Sequence, residues 1–378
     1  MKTTNAKTGD ALQGIAGRRL TRRTFLGHTG ALALGAGLAG ALPGLAEAQQ
    51  NATLRVNMGP SAVLPPLCDM FKAKTGINIY VAPYISATDT ISKLLAPGGT
   101  RQFDVMSSLT DFARPAVVQD KLLGWTDKDV PNSRYIMPHF RSDILTKNGH
   151  NYTIPFYWGY NTILINRKYV PENDPGTQSW GLLFDNRYKG RVAMRDDPLE
   201  SIQMTAIYLG YKDTMNLSRS DLDDVVKFLV SKKRNIRTLW SQFAQAIQLM
   251  ASGEVVAMYG WILMRTTLQR QGFDVVNNWP KEGIQWWAQS AYISKDTSNP
   301  DAAYKWVNFL LSKDYGAQLT KLNGGILSAS SVAQETFPPA DRAKLGYDLF
   351  QRKLVFVREG LPNNYGWWIE AWSRFKTA

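Results

Sequence analysis

The chain has 378 residues, 44 Lys and Arg against 31 Asp and Glu, a formal charge of +13, one cysteine and three histidines. A single cysteine excludes an intrachain disulfide, and the histidines show no H-x-x-H, C-x-x-C or H-E-x-x-H spacing, which argues against a metal site. The basic residues are scattered, the densest group being Lys232-Lys233-Arg234, so they read as a solvated surface and argue against nucleic-acid binding.

The first element in chain order is an address. Thr21-Arg22-Arg23-Thr24-Phe25-Leu26 precedes an uncharged run from Ala31 to Leu45 and the small-residue site Ala46-Glu47-Ala48. Paired arginines, a short Gly/Ala-rich apolar region and an A-x-A site predict a twin-arginine signal peptide over residues 1–48, cleaved before Gln49. A membrane anchor is the rival reading, but the run is short of the ~20 residues that span a bilayer. Export places the mature chain in the periplasm. Removing six basic and two acidic residues lowers the formal charge from +13 to about +9.

Beyond Gln49, short strands alternate with helices, the pattern of a layered α/β fold. Strands are predicted over 53–58, 77–82, 103–106, 191–194 and 255–259. Helices are predicted over 67–74, ending at Gly76; 91–95; 113–123, closed by Gly124; 198–209, closed by Gly210; 222–230; and 239–251, closed by Gly253. After Asn299-Pro300, residues Ala303, Trp306, Val307, Leu310 and Leu311 recur at helical spacing. The stretch 153–166 favours β structure but carries Pro155 and Gly159, so it reads as an extended crossover rather than one sheet strand. Cys68, among Leu67, Met70 and Phe71, reads as a small buried hydrophobe. No G-x-S-x-G, G-x-G-x-x-G or P-loop is present, so no motif argues for catalysis or a bound cofactor.

Four segments in order resemble the periplasmic spermidine/putrescine-binding proteins of ABC importers. Ile154-Pro-Phe-Tyr-Trp-Gly is similar to that family's crossover between lobes. The stretch 194–211, opening Met-Arg-Asp-Asp-Pro-Leu-Glu, is similar to its Asp-Asp helix; 273–283, ending Pro-Lys-Glu-Gly, to a strand and turn; and 301–311 to a late amphipathic helix. The resemblance implies an α/β fold of two lobes, of the type II-like periplasmic binding protein class, each a sheet flanked by helices, with the ligand cleft between them. It assigns 52–161 and 288–334 to the N-terminal lobe and 162–287 and 335–378 to the C-terminal lobe. It also implies hinge closure on a small ligand, an inner-membrane ABC permease as partner, and a monomer.

A cleft for amines needs carboxylates for the ammonium groups and aromatic faces for the methylenes between them. The resemblance places the carboxylates at Asp197 and Glu200 and ring walls at Trp261 and Trp287. Asp197, Pro198 and Glu200 equally fit an N-cap, a first-turn proline and a capping box, and tryptophans are by default core residues. Where the family carries an Asp two residues after the cleft tryptophan, this chain has Gln289, and Asp111 is expected to supply a carboxylate from the other lobe. Met58-Gly-Pro-Ser-Ala62 lacks an aromatic pair after the first strand, and Ile326 stands where the family offers a tyrosine. A long diamine needs an anchor at each end. The expected ligand is therefore a polyamine-like cationic or zwitterionic solute, with an opine, amino-acid conjugate or aminophosphonate as the alternative and a twin-arginine-exported enzyme as the reading from another class.

Overall fold

The computed structural model describes residues 52–352, 356–358 and 360–378. Residues 1–48, expected to be a signal peptide, lie outside the described residues. The described chain is built on eight principal strands: β1 (Thr53–Asn57), β2 (Asn78–Val81), β3 (Val105–Leu109), β4 (Ile154–Asn166), β5 (Val192–Arg195), β6 (Ile236–Trp240), β7 (Ala257–Trp261) and β8 (Ile284–Ser294). They are hydrogen-bonded in the order β2-β1-β3-β8-β4-β7-β5-β6. The outer trios are parallel, as strand–helix–strand connections require. The two long strands between them, β4 and β8, are antiparallel to each other and to their outer neighbours.

Around the sheet lie the longer helices α1 (Pro65–Thr75), α2 (Ala87–Leu95), α3 (Thr110–Val118), α4 (Pro198–Leu209), α5 (Arg219–Lys232), α6 (Phe243–Ala251), α7 (Ile262–Arg270), α8 (Pro300–Leu310), α9 (Lys313–Asn323) and α10 (Tyr365–Thr377). Their ends follow the sequence. Gly76 and Gly210 close α1 and α4 at φ 72° and 89°, in the left-handed region that glycine reaches without a Cβ penalty. Pro300 opens α8, whose Trp306, Val307 and Leu310 are buried.

Two large apolar cores divide the molecule into lobes. The first gathers Val56, Phe71, Trp158, Trp306 and Tyr315; the second gathers Trp180, Met194, Trp240, Met258 and Trp368. Strand β4 serves both: Ile154 to Tyr160 pack in the first core and Ile163 to Ile165 in the second. The other expected junction, between 287 and 288, is not marked by such a change, because Ile284 and Trp286 already pack in the first core with Ala288. The segment 335–378 also divides. Phe337, Tyr347 and Leu349 join the first core, and Trp368, Trp372 and Phe375 the second. The cause is aromatic packing: the Phe350 ring lies 5.1 Å from that of Trp158 and 5.5 Å from that of Trp286, drawing the segment onto the first lobe.

Three local expectations give way. Within 153–166, residues Ile154–Asn166 form one uninterrupted strand, every residue of it buried. Pro155 is tolerated one residue from its start, and Gly159 is the place where another ring passes over the backbone. A Cβ there would meet Cζ2 of Trp287 at 2.5 Å. The helix expected over 239–251 begins only at Phe243, because Ile236–Trp240 extends the parallel sheet beside β5. The helix expected over 113–123 ends at Val118, and Leu122–Leu123 adds a short strand to β8. Cys68 is half-buried and donates to the Val63 carbonyl at 3.5 Å; burial pushes its thiol up to about 11.

Gly159→Ala should lower stability by about 1 to 3 kcal/mol, the range for overpacking a filled site. Trp287 cannot swing aside cheaply, since its Nε1–H donates to Asn161 Oδ1 at 3.0 Å. Thermal melting checks this, with circular dichroism to confirm the fold. An unchanged melting temperature would mean that Trp287 is not held over the strand.

Candidate functional site: a cavity where the lobes meet

A cavity of about 480 Å³ is lined from both lobes. The first contributes Tyr84, the first turn of α2, Leu109 and Tyr157; the second contributes Arg195, the first turn of α4 and the β7–α7 junction. Of the six residues expected at the site, Asp197, Glu200, Trp261, Trp287 and Gln289 line this one cavity. A depression of about 710 Å³ lies elsewhere, between α5 and α10. Its Arg219 and Arg374 are paired with Glu370 and Asp223, so its charges compensate one another within the surface.

Asp111 is placed differently. It sits in the first turn of α3, where Arg358 Nη1 donates to its Oδ2 at 2.8 Å and Arg114 Nε to its Oδ1 at 2.9 Å. Burial pushes its carboxyl up, but the two guanidinium groups outweigh burial and hold it below the ordinary range. Arg358 also donates to Asp143, a fully buried carboxylate. Asp111 belongs to this ionic knot rather than to the cavity wall.

Asp197 caps α4. Its Oδ1 accepts the Glu200 backbone N–H at 3.0 Å, and Pro198 occupies the first helical position. Glu200 takes a different partner from the one a capping box assigns it. Its Oε1 lies 3.1 Å from Arg195 Nε, and its Oε2 accepts the Trp261 indole N–H at 3.2 Å. Loss of water by burial pushes the Glu200 carboxyl up to about 7; repulsion by Asp197 adds to this, while Arg195 and the indole work against it.

The aromatic walls are locked in place. The Arg195 guanidinium lies 4.3 Å from the Trp261 ring and 5.0 Å from the Trp240 ring, and those two rings meet edge to face at 85°. Across the cavity, the Trp287 ring packs edge-on against Tyr157 at 87°, with centroids 5.9 Å apart. Gln289 sits on β8 opposite Tyr157 on one side and Leu109 on the other, next to a shift in the β4–β8 register.

Several lining residues carried no signal strong enough to single them out. Arg195 follows β5 directly, but nothing in Met-Arg-Asp-Asp marks the arginine over the aspartates. Tyr84 and Tyr157 are ordinary apolar aromatics in sequence. Tyr84 now supplies an aromatic face on the first lobe, from the loop after β2 rather than after β1, where the expected pair is absent.

Residues 66–344 match the family described as bacterial extracellular solute-binding protein. The chain is 26% identical to the spermidine/putrescine-binding periplasmic protein of Escherichia coli strain K12 over 296 residues, which cover 78% of this chain and 81% of that protein. Its fold is similar to that of PotD from Streptococcus pneumoniae, a spermidine/putrescine ABC transporter substrate-binding protein, with a TM-score of 0.73, 21% identity and coverage of 86% of this chain and 99% of that one. It is similar also to a GABA receptor, with a TM-score of 0.67, 21% identity and coverage of 86% and 96%. This chain belongs to the bacterial extracellular solute-binding proteins, a two-lobed α/β family that binds solutes and is not a family of enzymes.

Proposed function

We propose that this protein is the periplasmic receptor of an ABC importer and captures a small amine-bearing solute, polyamine-like or zwitterionic, in the cavity between its lobes. The observation that carries the reading is the convergence of Asp197 and Glu200 with the rings of Trp261 and Trp287 on one cavity. Carboxylates neutralise an ammonium group, and ring faces attract it while excluding water from the adjoining methylenes. The E. coli relative supports the ligand class by its name, and family membership supports the role. Closure would rest on β4, which passes from the first core to the second between Tyr160 and Ile163, together with the C-terminal segment that contributes to both cores. The receptor would act as a monomer that presents its closed form to a permease in the inner membrane. An opine, amino-acid conjugate or aminophosphonate remains the alternative ligand, favoured by the presence of Arg195 in the lining.

Calorimetry with putrescine, spermidine and amino-acid-type amines tests the ligand class, and small-angle scattering with the tightest of them tests closure. Binding with a smaller radius of gyration is expected; no binding by any amine would overturn the reading. Asp197→Asn keeps the helix cap, since Asn caps about as well as Asp, yet it should weaken an amine by on the order of 2 to 5 kcal/mol if the carboxylate pairs with the ammonium. Equal affinity in the variant would leave Asp197 as a cap alone.

Binding should also depend on pH through Glu200. An ammonium group favours the ionised carboxylate, whereas the free protein holds the proton up to about pH 7. For putrescine or spermidine, which bring only positive charge, affinity should therefore rise with pH below about 7 and level off above it. Glu200→Gln should flatten that profile; a profile unchanged by the substitution would separate Glu200 from the ligand.

Export by the twin-arginine route is part of the same proposal. Replacing Arg22 and Arg23 together by Lys should leave precursor in the cytoplasm, because the pair is read as an address. Fractionation and immunoblotting check this, and normal periplasmic yield would remove the assignment.

A further inference from the structure

Among the described residues, the charged side chains lining the cavity are Arg195, Asp197 and Glu200. One guanidinium stands against two carboxylates, and one of those carboxylates is already engaged: Arg195 Nε meets Glu200 Oε1 at 3.1 Å. With Arg195 and Glu200 set against each other, Asp197 is the one lining carboxylate outside that pair. A diamine brings two positive charges, the second of which would lie beside Arg195 with no partner, and such unfavourable pairings set specificity as much as attraction does.

A second observation points the same way. Three helices start at the cavity: residues 86–88 at the head of α2, Asp197 to Glu200 at the head of α4, and Trp261 to Leu263 at the head of α7. The head of α4 is already capped by the Asp197 carboxylate, which leaves those of α2 and α7 to present a partial positive charge. Together with Arg195, they give part of the wall an affinity for a negative group, while Asp197 and the ring faces give another part an affinity for a positive one. Arg195 is also pre-oriented, since its planar guanidinium is held between the Trp240 and Trp261 rings and by Glu200, which lowers the entropy lost on pairing.

Resting on the reading that this cavity takes an amine solute, we infer that the ligand is a zwitterion with one ammonium and one carboxylate, and that Arg195 determines specificity by pairing with the carboxylate. Asp197 with the faces of Trp287 and Tyr84 takes the ammonium end. Gln289, which both donates and accepts, lines the same cavity without adding a second anionic anchor for a diamine.

Calorimetry on the purified protein with two matched pairs tests this: putrescine against 4-aminobutanoate, and cadaverine against 5-aminopentanoate. Within each pair a carboxylate replaces one ammonium group. The wild-type protein should bind at least one aminoalkanoate tighter than its matched diamine by about tenfold or more. Arg195→Gln should weaken that aminoalkanoate by about 100-fold and the diamine by much less, so that the order inverts. Melting curves establish that the variant is folded. If it is not, Arg195→Lys retains the charge without the planar fork and should lose about tenfold on the aminoalkanoate. A diamine bound tighter by the wild-type protein would overturn the inference and leave the amine-receptor reading intact. Equal weakening of both ligands by the substitution would likewise overturn it. Failure of all four probes and of spermidine to bind would overturn that reading together with the inference.

Discussion

The antiparallel pairing of β4 with β8 is the constraint from which the rest of the site follows. It runs from Gln285 opposite Asn161 to Gln289 opposite Tyr157, then shifts register before Ser290. The pairing sets Trp287 across from Gly159, the residue whose missing side chain lets the indole lie over the neighbouring strand. It also sets Asn161 where it can accept the indole N–H. The same two strands attach the parallel trio β2-β1-β3 at one side and β7-β5-β6 at the other. The parallel strands of each trio feed helices, and α2, α4 and α7, which follow β2, β5 and β7, bring their first turns to the cavity.

The electrostatics of the site come from burial as much as from charge. Asp197 holds a helix end while lining the cavity, so one residue serves stability and recognition together. Glu200 is shielded from water on the buried face of α4, which raises the free energy of its charged form; Arg195 and the Trp261 indole recover only part of that. Had Glu200 closed the capping box on the Asp197 backbone, its carboxylate would have been spent on the helix. Turned towards Arg195 and Trp261, it couples the head of α4 to the head of α7, two elements that rim the same cavity.

Much of this was legible in the sequence, for identifiable reasons. The alternation of short strands and helices, the glycines at helix ends and the Pro300 helix are local signals, and local signals survive into the fold. Asp197, Glu200, Trp261, Trp287 and Gln289 could be located because the resemblance to a known family assigns them, the first two within a short, ordered motif and the others just after a predicted strand or turn. What could not be read depends on distant partners. Pro155 and Gly159 look like strand breakers until Trp287, more than a hundred residues later, fills the space above the glycine. Leu239 and Trp240 look like the start of the helix that follows them until β5 offers an edge. Asp111 looks like a cleft carboxylate until Arg358, near the other end of the chain, claims it. Arg195 is unremarkable in one dimension and central in three.

The C-terminal segment carries a consequence for how the molecule comes into being. Phe337, Tyr347 and Leu349 complete the first core, Trp368 to Phe375 complete the second, and between them Arg358 binds Asp111 and Asp143 with its side chain while its carbonyl accepts from Gln203 of α4 at 3.0 Å. Neither core is complete without this segment. Many multidomain chains fold unit by unit; here one stretch of chain is shared by both lobes, so the closing of one core is tied to the closing of the other. Residues 337–349 and 368–375 act as a suture, and the two halves of the receptor share one cooperative transition rather than two.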